Sequence, residues 1–283
     1  MYLTIGTVQF GMKYGLRKKK IQTKEIIKIK KTIKNNNIIY LDTSINYGDS
    51  EKKIGLLNIG DKKIITKILL PKKKIKNLEI WYKNSIKESL KKLKVKSLYA
   101  LLIHDTSNIL GKNKKFLDLI LDSKKKKMIS KIGISVYDVS EVNKILKFWT
   151  PDIIQFPANI FDQRFLERKF LQNIKRLKIE IYARSCFLQG VLLSKKLKIG
   201  NNRSHQIFES FLEWCKKNKT TQLISCLHFI KQIKYIDSLI VGFDDANQLN
   251  EIIYAFNQRT IAVPYKFINN EKKLIDPRKW RID

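Results

Sequence analysis

A single (β/α)8 barrel of the TIM type, in the α/β class, is the fold this sequence predicts, and three observations carry it. Short apolar runs alternate with longer amphipathic ones along the chain. Eight strand candidates are each followed by a helical stretch. The 283 residues also match the roughly 250 typical of one such barrel. Alternation of this kind implies parallel strands joined by right-handed crossovers. Eight units favour a closed barrel over an open doubly wound sheet. Residues 1–283 are therefore read as one domain, with 257–283 as a C-terminal tail.

The first apolar run is Thr4 to Phe10. Thr23 to Asn36 follows as a helix, with Ile26, Ile27, Ile29 and Ile33 at roughly helical spacing. Ile38 to Leu41 has the signature of a buried strand. A charged stretch, Ser50 to Asn58, separates it from the strand Lys63 to Ile68. Leu78 to Lys94 reads as a long helix with Trp81, Ile86, Leu90 and Leu93 on one side, and Leu98 to Ile103 is the next strand. Further strands are expected at Lys131 to Val136, Asp152 to Phe156, Glu180 to Ala183 and Ser238 to Val241. The helices between them are Phe116 to Lys127, Glu141 to Phe148, Arg164 to Leu177, Ile207 to Lys219 and Leu223 to Lys231. Ala246 to Phe256 closes the pattern. No Pro- or Gly-rich linker interrupts it.

The charge balance, 58 basic residues against 25 acidic for a net +33, suggests a nucleic-acid binder at first sight. Only nine of the basic residues are Arg. Base recognition favours the planar guanidinium over the point charge of Lys. Lys, Ile and Asn are abundant together, and all three have A- and T-rich codons. Solvated lysine faces at Lys18 to Lys20, Lys72 to Lys74 and Lys124 to Lys127 are the expected reading. No specific nucleic-acid partner is expected. The three cysteines, Cys186, Cys215 and Cys226, form no C-x-x-C pair, and no His spacing suggests a metal site. No apolar run approaches the ~18 residues of a membrane span, and no signal peptide is legible. The expected compartment is the cytoplasm.

A barrel of this class builds its active site at the C-terminal ends of its strands. Strand two ends in Asp42, with Tyr47 five residues on. Strand three ends at Lys67 and strand four at His104. Three consecutive strands thus present a carboxylate, a phenol, an ammonium and an imidazole at one rim, an acid–base constellation that needs no metal. A free phenol, with a pKa of about 10, is a reluctant donor near neutrality. A buried ammonium beside it would lower that pKa, and a carboxylate on the ammonium would keep it charged and oriented. The imidazole could orient a carbonyl or relay a proton.

Around these residues the chain resembles the aldo-keto reductase superfamily. Leu41-Asp42-Thr43-Ser44-Ile45-Asn46-Tyr47-Gly48-Asp49-Ser50-Glu51, with Gly55 beyond, is similar to that family's D-T-A-x-x-Y-G-x-S-E-x-x-x-G signature, with Ser44 in place of the usual Ala. Ile65-Thr66-Lys67 and Leu102-Ile103-His104 resemble its Lys and His segments, and Gly6-Thr7-Val8-Gln9-Phe10-Gly11 its first strand. The resemblance thins after about Asn257. It implies an NAD(P)H-dependent reductase that converts an aldehyde or ketone to an alcohol. Tyr47 would be the proton donor, Lys67 and Asp42 would tune it, and His104 would orient the carbonyl. A cofactor-binding regulatory subunit on the same barrel is the alternative.

The resemblance also implies cofactor contacts. Gly6, Thr7 and Asp42 lie on the first two strands. Ser135 and Gln155 match the carboxamide-binding positions, although Val136 stands where Asn is common. Arg184, Ser185, Leu188 and Gly190 fall in a pyrophosphate loop, with Arg184 where an aromatic often stacks on the nicotinamide. Gly242, Asp245, Gln248 and Glu251 fall at the far phosphate. Gln248 stands where Arg is common and Ile252 where Asn follows, so a weak NADP preference, or use of NAD, is expected. Asp245 with Gln248 also fits a helix-capping box. The substrate is left open, because specificity loops vary. Here those loops are Asp105 to Lys115, the stretch after Gly190 and the tail. Tyr265, Phe267 and Trp280 would line a pocket or seal the barrel. Oligomeric state has no signature in the chain.

Overall fold

Eight parallel strands close into a barrel in chain order, each hydrogen-bonded to the next and the eighth to the first. The structure is a computed structural model that describes residues 1–58, 60, 62–71, 75–110 and 114–280. The expected lysine cluster at 72–74 and part of the 105–115 loop lie outside the described residues. The strands are β1 (Tyr2–Gly6), β2 (Tyr40–Asp42), β3 (Lys63–Ile68) and β4 (Leu98–Ile103). They continue as β5 (Ile129–Ser135), β6 (Ile153–Pro157), β7 (Glu180–Arg184) and β8 (Ser238–Val241). Around them run the helices α1 (Val8–Gly11), α2 (Thr23–Asn35), α3 (Ser50–Leu57), α4 (Leu78–Leu93) and α5 (Lys114–Lys125). The ring is completed by α6 (Val139–Leu146), α7 (Arg168–Arg176), α8 (Asn202–Lys217), α9 (Gln222–Lys231) and α10 (Ala246–Asn257). The short α11 (Lys272–Ile275) lies in the tail.

Side chains alternate across each strand, so every strand feeds two layers. Leu41, Ile64, Leu101, Ile154, Ile181 and Leu239 face outward into the cluster shared with the helices. Their neighbours Tyr40, Ile65, Leu102, Ile153, Tyr182 and Ile240 form a separate cluster inside the barrel. Both layers are apolar, which is why the strands read as continuous hydrophobic runs. The floor is closed at the N-terminal strand ends by Tyr2, Tyr40 and Tyr99, whose rings lie 5.0 and 5.5 Å apart in sequence. Lys63 and Lys131 donate to the Tyr40 and Tyr99 hydroxyls at 3.2 and 2.8 Å, and Lys131 also pairs with Glu180.

Four elements differ most from expectation, one of them α8, which begins at Asn202 rather than at Ile207. The first apolar run is a strand only to Gly6; Val8–Gly11 is one helical turn that buries Phe10. The charged stretch Ser50 to Asn58 is a helix whose Glu51 and Lys53 point inward. Glu51 accepts from Thr66 and Ser89 at 2.8 and 2.6 Å, and Lys53 donates to the Ile21 carbonyl at 2.5 Å, so neither is stranded. The helix expected from Arg164 begins only at Arg168. Arg164 is instead held by two hydrogen bonds of 2.8 Å on the buried carboxylate of Asp162, which fixes a turn.

Several helix ends reverse through left-handed lysines rather than glycine. Lys94, Lys127, Lys178 and Lys219 take φ of 56°, 58°, 60° and 49°. A side chain there costs about 1 kcal/mol, partly offset by the favourable charge at a helix C-terminus. Lys94→Gly is expected to raise unfolding stability by up to about 1 kcal/mol in denaturant titration. A loss of stability would show that the charge outweighs the backbone.

The aromatic residues of the tail pack on the outer helices, while its Arg278 reaches the cleft residue Tyr137. Phe267 is buried against Phe211 and Trp214, Tyr265 meets Phe229, and the Trp280 indole donates to the Leu274 carbonyl at 2.9 Å. None of the three lines the main cleft. The three cysteines are buried and unpaired. Among the described residues, no helix is long and apolar enough to cross a membrane.

Candidate active site

The inward series that fills the barrel ends, two residues further along each strand, in six polar side chains and two glycines. Beyond Thr4 comes Gly6, beyond Tyr40 Asp42, beyond Ile65 Lys67 and beyond Leu102 His104. Beyond Gly133 comes Ser135, beyond Ile153 Gln155, beyond Tyr182 Arg184 and beyond Ile240 Gly242. Strand periodicity alone therefore gathers eight of the expected site residues into one layer at the C-terminal mouth. Above that layer opens a cleft of about 900 Å³.

Asp42 and Lys67 form the base of the site. Lys67 Nζ donates to Asp42 Oδ1 at 2.5 Å and to the Thr43 carbonyl at 2.8 Å, while Gln155 Nε2 donates to Asp42 Oδ2 at 2.8 Å. All three side chains are buried. A buried ion pair is tolerated when further hydrogen bonds support it, and here the Thr43 carbonyl and the Gln155 amide do so. Burial pulls the Lys67 ammonium below its usual pKa, and the adjoining Asp42 carboxylate opposes that.

Tyr47 and His104 stand over this pair. Their rings lie edge to face with centroids 5.8 Å apart, and Lys67 Nζ is 5.3 Å from the centre of the phenol ring. Both residues line the cleft; Lys67 does not. The tight turn carrying Tyr47 is closed by hydrogen bonds from Tyr47 N to Ser44 O and from Ser50 N to Tyr47 O, both 3.0 Å. Gly11 packs against this turn so closely that a Cβ there would sit 1.5 Å from the Tyr47 carbonyl oxygen. Thr7 supports Asp42 by donating backbone N–H and hydroxyl to its carbonyl, both at 2.9 Å, and its hydroxyl also meets Ser50 at 2.8 Å. The T-x-x-x-Y-G-x-S-E pattern is thus largely scaffolding for one phenol.

Against the expectation that Lys67 lowers the Tyr47 phenol, burial and then the Asp42 carboxylate hold it well above the usual range, and the opposing cation is Arg184. Asp42 sits on the Lys67 charge, so little of that charge is left to act on the phenol. Tyr47 is therefore fully protonated at neutral pH. Burial, with the charges of Lys67 and Arg184, depresses the His104 imidazole from 6.5 to about 3. Its Nδ1 lies 3.4 Å from the Ser44 hydroxyl. A neutral His104 gives no rate inflection near its usual pKa, so a pH–rate profile should be flat between about pH 5 and 8. An inflection in that window that disappears in His104→Gln would contradict this. The unfolded chain protonates this imidazole below 6.5 while the folded one does not, so its contribution to stability is lost as pH falls from 6.5 toward 3.

The remaining expected contacts distribute unevenly. Gly6, Thr7, Ser135, Gln155, Arg184, Ser185, Gly190, Gly242, Gln248 and Glu251 line the cleft. Leu188 does not, being buried in the core, and neither does Asp245. Asp245 caps α10, accepting from Gln248 N at 2.9 Å, while the Gln248 side chain accepts from Asp244 N at 2.9 Å. The loop from Ser185 to Gly190 holds Ser185, Leu188, Gln189 and Gly190 at φ of 63°, 46°, 54° and 95°. Within this loop the Leu188 and Gly190 N–H groups donate back to the Ser185 and Phe187 carbonyls, both at 2.9 Å.

Sequence reasoning missed several cleft residues. Gln9 is buried in the opening motif and leaves its Oε1 without a partner, beside Gly242. Tyr14 and Leu16 reach the mouth on a turn whose Leu16 N donates to the Gln189 carbonyl at 3.1 Å. Tyr137 follows Ser135 by two residues, the offset that could have flagged it. The Arg184 and Arg278 guanidinium carbons lie 4.2 and 3.6 Å from its ring centre.

One feature of the floor asks for a ligand. Gln155 spends its amide N–H on Asp42, but its Oε1 is buried and has no partner. A buried acceptor left open is costly unless a donor fills it. The amide N–H₂ of a nicotinamide carboxamide is such a donor, and the residues present fit that group. Among the described residues, no group of three or more His, Cys, Asp or Glu side chains is placed to share a metal ion.

Comparison with known proteins agrees with this geometry. The Aldo/keto reductase family pattern matches residues 2–262. The fold is similar to that of aldo-keto reductase AKR11C1 from Bacillus halodurans in its holo form, with a TM-score of 0.73 and 16% identity over 92% of this chain and 88% of that one. It is also similar to the glycerol dehydrogenase AKR11B4 from Gluconobacter oxydans, with a TM-score of 0.70 and 15% identity over 92% and 87%. A comparison with curated proteins gives no match. With a closed eight-stranded barrel, a polar mouth built from its inward series and a family match across nearly its whole length, this chain belongs to the aldo/keto reductase family, a family of oxidoreductases.

Proposed function

We propose that this protein reduces an aldehyde or ketone to an alcohol using NADH or NADPH, with Tyr47 as the proton donor. The observation that carries the reading is the convergence of a protonated phenol and a neutral imidazole on one cleft, above a self-neutralised Asp42–Lys67 pair. A bound reduced nicotinamide supplies hydride to the carbonyl carbon. Ser135 and Gln155 would hold its carboxamide, the loop from Ser185 to Gly190 its pyrophosphate, and the segment from Gly242 to Glu251 the far end. Gly6 and Thr7 would flank it on the first strand.

The chain's own residues do the rest. Tyr47 and His104 hold the carbonyl oxygen between a phenol O–H and an imidazole N–H, which fixes its orientation. As negative charge develops on that oxygen, the phenol gives up its proton. An alkoxide is a far stronger base than a phenolate, so the transfer is favourable even from a phenol with a raised pKa. Asp42 neutralises Lys67 behind the phenol, so the cation that opposes the raised phenol pKa is Arg184. The test is consumption of NADH or NADPH with a panel of aldehydes and ketones, read by loss of the reduced-nicotinamide absorbance. Cofactor binding with no turnover on any carbonyl would favour a regulatory subunit instead.

The far phosphate end carries Asp244, Gln248 and Glu251, with Arg17 paired to Asp244 at 3.6 Å. A 2′-phosphate placed there meets carboxylates rather than a free guanidinium. NADPH is therefore expected to bind less than about tenfold more tightly than NADH in direct titration. A preference of a thousandfold would contradict this.

A further inference from the structure

The catalytic floor carries a cation with no counter-ion. Asp42 neutralises Lys67, Tyr47 is protonated and His104 is neutral. Arg184 remains. Its guanidinium donates to the Val136 carbonyl at 3.2 Å, lies 3.4 Å from the Ser185 hydroxyl, and rests on the Tyr137 ring. Among the described residues, Arg184 takes part in no ion pair with a carboxylate. Arg278, the other guanidinium on Tyr137, is different: it is clamped by Asp276 with bonds of 2.9 and 2.7 Å. Besides Asp42, which is spent on Lys67, the carboxylates along the cleft are Asp244 and Glu251, beyond β8. Arg184 therefore places about one full positive charge in the layer that holds Gln155 and faces Tyr47.

We infer that Arg184 makes this site discriminate between the two redox forms of its cofactor, holding the reduced form more tightly than the oxidised one. This rests on the proposed nicotinamide-dependent reduction. In that reaction the carbonyl carbon gains a hydride, two electrons with one proton. Its oxygen gains the Tyr47 proton, and the ring left behind changes from neutral dihydropyridine to pyridinium. Gln155, Tyr47 and Arg184 line one cleft, so a ring held by Gln155 beside a carbonyl held by Tyr47 would lie near Arg184. The reduced ring meets the guanidinium as a neutral, polarisable surface. The oxidised ring meets it as a like charge in a partly water-excluded cleft. Two unit charges several ångströms apart at an intermediate effective dielectric shift a binding constant on the order of ten- to a hundredfold. Arg184 would thus favour carbonyl reduction over alcohol oxidation and speed release of spent cofactor.

The experiment is direct titration of the intact protein with oxidised and with reduced dinucleotide by calorimetry, without substrate. The unmutated chain is expected to bind the oxidised form at least about tenfold more weakly than the reduced form. Arg184→Met, which removes the charge but keeps a long side chain, is expected to bring the two affinities together mainly by tightening the oxidised form. Arg184→Lys, which keeps the charge, is expected to preserve the gap. Equal affinities in the unmutated chain would overturn the inference while leaving the proposed function standing. So would a gap that survives in Arg184→Met. Absence of binding by either form would overturn both.

Discussion

Tyr47→Phe is expected to lower kcat for carbonyl reduction by about a hundred- to ten-thousandfold while leaving cofactor affinity within about twofold. The substitution removes one hydroxyl and keeps the ring. Its edge-to-face contact with His104, at 5.8 Å between centroids, and the turn closed on Ser44 and Ser50 are main-chain or ring features that Phe retains. The variant should therefore fold normally. Steady-state kinetics on a good aldehyde, with cofactor titration alongside, separates the two effects. Retention of full turnover would remove Tyr47 from the chemistry.

Lys67→Met should produce the largest loss of stability among the site substitutions. It strands the Asp42 carboxylate, which is buried and has only the Gln155 amide as a remaining side-chain donor. Breaking one half of a buried ion pair typically costs about 3–5 kcal/mol. Protonating Asp42 removes the stranded charge, so the deficit should shrink as pH is lowered. The double variant Lys67→Met with Asp42→Asn should recover much of the stability without recovering activity. Denaturant unfolding at two pH values measures both effects. A single variant as stable as the parent at neutral pH would mean that Asp42 finds other partners.

The parts of the fold that could be read from the chain were those where burial and periodicity agree. Lys63–Ile68, Leu98–Ile103 and Ser238–Val241 carry the bounds expected of them, because each is a mostly buried run that a polar residue (Lys62, Ser97, Asp237) precedes. Helix C-termini were less legible. The usual glycine signal is missing, and left-handed lysines such as Lys94 and Lys219 continue the polar face past the last helical residue. Ser50–Leu57 was hidden for another reason. Its inward residues include Glu51 and Lys53, whose burial depends on Thr66, Ser89 and the Ile21 carbonyl, partners on distant segments.

The site divides along the same line. Asp42, Lys67, His104, Ser135, Gln155 and Arg184 follow from strand ends plus a period of two, which local sequence supplies. Gln9 needs the tertiary arrangement, since it is recognised by its approach to Gly242, whereas Tyr137 lies at the same period of two past Ser135 and only its contact with two guanidinium groups is tertiary. The reversal of the Tyr47 shift was equally invisible. It depends on Asp42 lying 2.5 Å from Lys67, close enough to absorb the charge that would have acted on the phenol.

The central claim is hydride transfer from a bound nicotinamide to a carbonyl within this cleft. Its most direct test uses a reduced cofactor carrying deuterium at both hydrogens of the transferring carbon, with an aldehyde substrate and mass analysis of the product. The account predicts an alcohol with one deuterium on the former carbonyl carbon, formed about a hundred- to ten-thousandfold more slowly when Tyr47 is replaced by Phe. An unlabelled alcohol, or deuterium retained on the cofactor across every carbonyl tried, would contradict it.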